Sequence, residues 1–261
     1  MTDTDIQQSA ETLWAHWQQS RRMAELPPRG RPATREEGYA IQERLALISG
    51  QPVVGWKIAA TSPAGQAHIK VDGPIAGRLL EQRVVANGAT FPLAHNLMCV
   101  AEAEFAFRLG RDLGIRDRVY DVDEVMAAVD ALHLSLEVPD SRFHDFTVVG
   151  AAQLIADDAC ACWLALGPEV SADWRALDLS AHVVNGHKNG TAVATGSGKN
   201  VLGDPRLAMT WMANEMREYG SGLRAGQFVT TGTCIVPIAV APGDRVHMDF
   251  GVLGSIDAAF S

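Results

Sequence analysis

The chain reads as an α+β protein, a helical N-terminal part followed by a β-rich core, and three observations predict it. Apolar residues near the start recur at helical spacing. From Val53 the apolar period drops to two. The tail from Gln227 to Phe260 is a succession of strand-like runs separated by turns. This order predicts a helical region over residues 1–50 packed on the body and a β-rich domain over 51–261 that carries the chemistry. There is no internal repeat and no low-complexity tract.

In chain order, Ile6, Ala10, Leu13, Trp14 and Trp17 mark a first helix. Glu25–Pro32, with three prolines, cannot continue it. Thr34 and Glu37 form a capping-box pattern for a second helix, and Gly50 supplies its stop. Val54, Trp56 and Ile58 then point one way, and Val53, Gly55, Lys57 and Ala59 the other, as in a strand. A long strand is expected from about Met98 to Leu109, and a helix near 122–131 behind the capping pair Asp121 and Glu124. Leu132–Val138 is again strand-like. The Ala-rich stretch from about 150 to 165 reads as helix. Asn189-Gly190 predicts a hairpin. Asp204-Pro205 opens the clearest helix, with Leu207, Ala208, Trp211, Met212, Met216 and Tyr219 in register and Gly220 at its end. Pro242-Gly243-Asp244 is a turn between late strands.

Composition narrows the class. A chain of 261 residues, 47% apolar and 20% charged, can bury a large core and is neither disordered nor a disulfide miniprotein. Lys+Arg 22 against Asp+Glu 31 gives a net charge of −9, and the pairs Arg21-Arg22 and Arg29/Arg31 are too sparse to change that balance. Nucleic acid is therefore not expected as a partner. No segment approaches the roughly 20 apolar residues of a membrane span, and the acidic start lacks the features of a signal peptide. A cytoplasmic location is the expectation. Cys99, Cys160, Cys162 and Cys234 sit in apolar surroundings, read as buried reduced thiols, and show no zinc-site spacing.

The chemistry concentrates in Val100-Ala-Glu102-Ala-Glu104-Phe-Ala-Phe. In a strand Glu102 and Glu104 share a face, with Cα atoms about 6.5–7 Å apart. Spacing alone is also met by a solvated strand face. Yet Ala101, Ala103, Phe105 and Phe107 read as core, and unpaired buried carboxylates are costly. A cation between the two removes that cost. In Leu132-His-Leu-Ser-Leu-Glu137-Val138 the leucines form one face and His133, Ser135 and Glu137 the other, so Glu137 can supply a third oxygen ligand. An all-carboxylate set suits Mg²⁺ or Mn²⁺ and not zinc. Lys57 is the only charge in Val53–Ala60. Alone it reads as a snorkelling surface lysine; beside a metal-bound substrate it can stabilise an enolate or shuttle a proton. Gly196-Ser-Gly-Lys-Asn200 lacks the upstream Gly and the Ser/Thr of a phosphate loop, no nucleophile elbow occurs, and His16, His68 and His95 read as surface or hydrogen-bonded residues.

Several stretches together resemble the 2-keto-4-pentenoate hydratases of the fumarylacetoacetate hydrolase superfamily. They are Gly55-Trp-Lys-Ile-Ala-Ala-Thr-Ser62, Val71-Asp-Gly-Pro74, Gly77-Arg-Leu-Leu80, Ala101-Glu-Ala-Glu-Phe-Ala-Phe107 with Gly110-Arg-Asp112, Leu136-Glu-Val-Pro-Asp-Ser-Arg142, Ile155-Ala-Asp-Asp158, Val201-Leu-Gly-Asp-Pro205 and Thr231-Gly-Thr233. The resemblance spans roughly residues 35–260. It implies a mixed β-sandwich or roll with a helical N-terminal part, and a divalent metal held by three carboxylates. Those carboxylates fall on Glu102, Glu104 and Glu137, and the active-site lysine falls on Lys57. Two departures lie close to the implied pocket: Ala59-Ala60 stand where relatives commonly have Gly-Leu, and Asp158 where they often have Asn.

The resemblance further implies a hydratase acting on a 2-hydroxy-2,4-dienoate in aromatic-compound breakdown, with Mg²⁺ or Mn²⁺ and a homo-oligomeric assembly. Asp72 is a second catalytic candidate, and Ser62 and Thr233 are substrate-binding candidates; each reads equally as a turn or capping residue. Decarboxylation of a 2-oxo-3-enedioate uses the same lysine and acids. Hydrolysis of an acylpyruvate C–C bond would need a His–Glu pair that the sequence does not place. A non-catalytic subunit in a complex with a decarboxylase is the remaining alternative, and the intact carboxylate set argues against it.

Overall fold

The computed structural model describes residues 1–261. The chain forms thirteen strands and six α-helices. The helices are α1 (Asp3–Gln18), α2 (Arg35–Ser49), α3 (Pro63–Ile69), α4 (Val122–Met126), α5 (Ala151–Ala156) and α6 (Pro205–Tyr219). The strands are β1 (Val53–Ala59), β2 (Ile75–Leu80), β3 (Val84–Ala86), β4 (Thr90–Phe91), β5 (Val100–Leu109), β6 (Val129–Val138) and β7 (Trp163–Glu169), then β8 (Val183–Lys188), β9 (Thr191–Ser197), β10 (Phe228–Thr233), β11 (Ile238–Ala239), β12 (Arg245–Asp249) and β13 (Ser255–Phe260).

The larger sheet runs β2-β1-β10-β5-β6-β7-β3, with β11 added to β5. It is mixed: β1–β10 and β3–β7 are parallel, and the other pairs antiparallel. Its two end strands are consecutive in sequence, joined only by Glu81–Arg83. Seven flat strands would separate those ends by about 29 Å, whereas a four-residue step reaches about 14 Å at most. The sheet therefore has to curl into a roll. Mixed α+β topology around a rolled sheet is what the sequence resemblance implied.

The smaller sheet, β4-β13-β12-β8-β9, packs on the outer face of the roll. Ala101, Ala103, Phe105 and Phe107 are fully buried there, with Phe105 edge-on to Phe250 at 5.3 Å between ring centroids. The Asn189-Gly190 turn carries positive φ at both residues, as a two-residue hairpin requires. α1 and α2 form a helical pair whose apolar stripe (Leu13, Trp17, Ile41, Leu45) packs with Leu80, Phe143 and Ala156 of the body. Glu215 of α6 receives Arg35 at 2.5 Å and the Tyr39 hydroxyl at 2.7 Å, tying α2 to α6. No helix is long and apolar enough to cross a membrane.

Five local expectations need correction. The helix expected near 122–131 stops at Met126, because β6 begins at Val129 to pair with Leu109. Its capping box at Asp121 and Glu124 forms in full. The helix expected from 150 to 165 covers only Ala151–Ala156, because Asp158, Ala159 and Cys160 all turn left-handed (φ 54°, 49° and 61°) and Trp163 already lies in β7. There the ion pair from Arg142 to Asp157, with the bond from Asp140 N–H to the Cys160 carbonyl, overrides the helix propensity of the alanines. At Thr34 only half of the capping box forms: its hydroxyl accepts from Glu37 N–H, while the Glu37 carboxylate reaches Ala33 N–H and the N-terminal ammonium. Leu207 is exposed, so the buried face of α6 is carried by Ala208, Met209, Met212 and Met216. Finally, the four cysteines are unpaired, but only Cys160 and Cys234 are buried; Cys99 and Cys162 are half-buried.

Candidate functional site

The inner face of the roll gathers the unusual charges. In the flat sheet, Lys57 on β1 and Glu137 on β6 would be three strand spacings apart, about 14 Å. The curl brings Lys57 Nζ to 3.0 Å from Glu137 Oε1, with both side chains almost fully buried. Glu102 lies directly opposite Glu137 in the β5–β6 register, and Glu104 is one inward-facing position along β5. Ligand oxygens of Glu102, Glu104 and Glu137 fall within 4.8 Å of one another. Like charges directly across a strand pair are destabilising, and three in one pocket demand a counter-charge.

Lys57 alone does not meet that demand. Its Nζ donates to the Ala159 carbonyl at 2.9 Å. Its approach to Glu137 is close enough for an ion pair, but neither Glu137 oxygen has a hydrogen bond of good geometry. Glu104 Oε2 accepts from Gly232 N–H at 2.9 Å, and its Oε1 has no partner. Buried carboxylate oxygens without partners are a set of free lone pairs around one point, and the donor chemistry is all hard oxygen. The residues therefore fit a small divalent cation such as Mg²⁺ or Mn²⁺, coordinated in part by water.

Burial, and then the charge of Glu137, hold the Glu102 and Glu104 carboxyls above the usual glutamate range, so without a cation the cluster resists full ionisation. Burial opposes the charge on Lys57, but the carboxylates, Glu137 foremost, outweigh it and keep the ammonium above the usual lysine range. Lys57 is thus a held acid, not a free base, at neutral pH.

The backbone around Lys57 is shaped for it. Ala159, whose carbonyl takes the ammonium, sits in the left-handed Asp158–Cys160 turn. Gly77 is paired with Lys57 in the β1–β2 register, and a Cβ there would run into the Asp158 carbonyl and lie 3.2 Å from Lys57 Cδ. Gly232 (φ +96°) leaves room for Thr61 while its N–H serves Glu104. Thr230, in register with Lys57, has a buried hydroxyl without a partner. Sequence reasoning missed Ala159, because a carbonyl contact across 102 residues leaves no local pattern. It also missed Gly77, Thr230 and Gly232 as parts of the site, although Gly77 and Gly232 lie within the stretches that carry the family resemblance.

Asp158 is 1% exposed; its Oδ1 accepts from Arg78 N–H at 2.6 Å, and its Oδ2 has no partner. Burial pushes its carboxyl up to about 7 from an ordinary 3.8. A raised carboxyl favours the fold while protonated, so its contribution is complete below about pH 3.8 and is lost as the pH rises through about 7. Asp158→Asn keeps the acceptor and removes the titration. The variant should match the parent near pH 4 and exceed it at pH 8 by on the order of 2–4 kcal/mol. Denaturant unfolding at the two pH values checks this; equal stabilities at pH 8 would show that burial does not raise the Asp158 carboxyl.

The other candidates are not drawn into the cluster by any hydrogen bond. Asp72 is exposed on the loop between α3 and β2. Ser62 caps α3, accepting from Gly65 N–H at 3.1 Å. Thr233 is half-buried, stands opposite Glu104 in the β10–β5 register and donates to the Ile235 carbonyl at 2.9 Å. Of these, Thr233 is on the strand nearest the carboxylates. His68 and His95 are exposed, and His16 Nδ1 bonds the Thr12 carbonyl.

Residues 74–261 match the family described as fumarylacetoacetate (FAA) hydrolase C-terminal. The chain is 32% identical over 265 residues to a 2-keto-4-pentenoate hydratase of Paraburkholderia xenovorans (strain LB400), covering 100% of this chain and 96% of that protein. It is 29% identical to a 2-hydroxyhexa-2,4-dienoate hydratase of Comamonas testosteroni, covering 98% and 97% respectively. Its structure is similar to that of 4-oxalocrotonate decarboxylase from Pseudomonas putida G7 complexed with magnesium and adipate, with a TM-score of 0.89 at 27% identity over 100% of this chain and 99% of that one.

Proposed function

We infer the reaction from one premise: the chain belongs to the fumarylacetoacetate hydrolase family and, within it, to the 2-keto-4-pentenoate hydratases. It is a hydro-lyase that adds water to a 2-hydroxy-2,4-dienoate to give a 4-hydroxy-2-oxo acid, in the breakdown of aromatic compounds. The observation that carries this reading is full-length similarity to hydratases together with an intact set of converging carboxylates, Glu104 and Glu137 buried and Glu102 half-buried, beside a buried lysine.

Glu102, Glu104 and Glu137 would hold the divalent cation, Mg²⁺ or Mn²⁺. When bound, that ion supplies Lewis-acid polarisation of the substrate's 2-oxygen and a counter-charge for its carboxylate. The remaining steps fall to the chain. Lys57, protonated and fixed by the Ala159 carbonyl, faces the substrate and offsets the negative charge that grows on the dienolate. Its Nζ gives a proton to the terminal diene carbon as the 2-hydroxyl loses one, so the dienol becomes a 2-oxo-3-enoate. Water then adds its oxygen at C4 and a proton at C3, which balances the overall addition of H₂O. Asp72 is proposed as the second proton-handling group, and Ser62 and Thr233 as polar contacts for substrate or water. A cytoplasmic, homo-oligomeric enzyme with a helical 1–50 region on a 51–261 catalytic body completes the reading, with association with a decarboxylase as a further element.

Product analysis with a panel of 2-hydroxydienoates and 2-oxo-enedioates under Mg²⁺ or Mn²⁺ tests it in one assay. Water addition without CO₂ release is expected. CO₂ release from an enedioate without hydration would replace the hydratase by a decarboxylase, the reaction named for the structural relative.

A further inference from the structure

A cavity of about 130 Å³ opens between the end of α1, the start of β3 and the start of β7, lined in part by Trp17, Arg22, Arg83, Arg142, Cys162 and Trp163. Three guanidinium groups converge on it in a chain of net charge −9. Two are spoken for: Arg22 pairs with Asp140 and Arg142 with Asp157. Arg83 is not. Its guanidinium stacks 4.4 Å from the Trp163 ring and 5.6 Å from the Trp17 ring, and no carboxylate pairs with it. Burial holds its proton affinity below the usual arginine range, and Arg142 adds to that effect. Asp140 also lines the cavity, with its carboxylate taken up by Arg22 and by Leu97 N–H. An unpaired guanidinium fork between two indole faces is matched by a ligand that only accepts.

We propose that this cavity binds a small oxyanion, a carboxylate or a phosphate, clamped by the forked guanidinium of Arg83 between Trp17 and Trp163. Planar guanidinium groups recognise such anions with two parallel hydrogen bonds, and the indole walls exclude the water that would compete. The volume admits an anion of a few heavy atoms. The site is separate from the carboxylate cluster but lies close to it: a narrower void shares Trp17, Arg83, Cys162 and Trp163 with the cavity and is also lined by Glu137. An anion on Arg83 therefore adds negative potential behind Glu137. It tightens cation binding at the cluster, and by linkage the cation tightens the anion.

Trp17 and Trp163 provide the readout. Intrinsic fluorescence is followed while sodium phosphate or sodium acetate is added at fixed ionic strength, to chelator-treated and to Mg²⁺-loaded protein. One of the two anions should give a saturable change with a dissociation constant below about 1 mM, tighter with Mg²⁺ present. Which anion saturates separates the phosphate from the carboxylate source. Arg83→Met should weaken it at least about tenfold, and Arg83→Lys, which keeps the charge but not the fork, should fall between. Arg245→Met, a surface arginine outside this cavity, should leave it unchanged. Purely linear quenching up to 50 mM (about fiftyfold that constant), or equal affinity in Arg83→Met, overturns the proposal. If Arg83→Met does not fold, the Arg83→Lys titration decides by the same criterion.

Discussion

Glu137→Gln should abolish useful binding of Mg²⁺ and with it turnover, while the protein stays folded. The change is isosteric and removes one of three clustered carboxylates whose oxygens lie within 4.8 Å of one another. Losing an outer-sphere partner of a metal ligand costs roughly 10–100-fold in affinity, so losing a charged ligand should cost more. Glu137 is also the group nearest Lys57 Nζ, at 3.0 Å. The variant therefore weakens the charge that favours the lysine ammonium, and Lys57 should deprotonate at lower pH than in the parent. Glu102→Gln offers a comparison, because Glu102 raises Lys57 less than Glu137 does. Isothermal titration with Mg²⁺ and Mn²⁺, alongside circular dichroism, checks both variants. Parent-like isotherms in Glu102→Gln and Glu137→Gln would remove the carboxylate site from the account.

Lys57→Met should fold, bind Mg²⁺ at least as tightly as the parent, and turn over substrate about 10²–10⁴ times more slowly, the range for a lost proton-transfer group. Methionine retains much of the stem's packing against Gly77 but neither the ammonium nor its bond to Ala159. Removing a buried positive charge beside three carboxylates strengthens their pull on a cation. It also leaves those carboxylates uncompensated when the cation is removed. The variant should accordingly be less stable than the parent in chelator and recover on addition of Mg²⁺, a crossover that a merely packing lysine would not produce. Normal turnover would reduce Lys57 to a strand residue. Failure to fold even with Mg²⁺ would make it structural, and the proposed mechanism would lose its proton carrier.

Much of this site is legible in the sequence, for a reason rooted in backbone geometry. A strand alternates its faces at every residue, so Glu102 and Glu104 among fully buried Ala101, Ala103, Phe105 and Phe107 announce two acids on one face. The same alternation puts Glu137 opposite Leu136 and Val138, and makes Lys57 the lone charge of its strand. Turn and cap chemistry is equally local: Asn189-Gly190, the box at Asp121 and Glu124, and Gly50 (φ 67°) behave as their residue types require.

Tertiary structure alone decided what those faces meet. The registers that set Glu102 across from Glu137 and Lys57 across from Gly77 join segments by hydrogen bonds that any backbone can make, so no short pattern specifies them. The curl that closes about 14 Å between β1 and β6 follows from chain closure between β2 and β3, a constraint on the whole sheet. The Ala-rich run after residue 150 has helical propensity throughout. It becomes helix, left-handed turn and strand because the Arg142–Asp157 ion pair and the Lys57–Ala159 bond outweigh that propensity, which amounts to only a few tenths of a kcal/mol per residue. The amino-acid sequence by itself thus determined which side chains carry charge toward the inside, through a period that each strand expresses alone. Their convergence on one point was decided by pairings between distant segments, Glu102 with Glu137, Ala106 with Thr230 and Lys57 with Thr230, where packing and burial, and not local preference, select the partner.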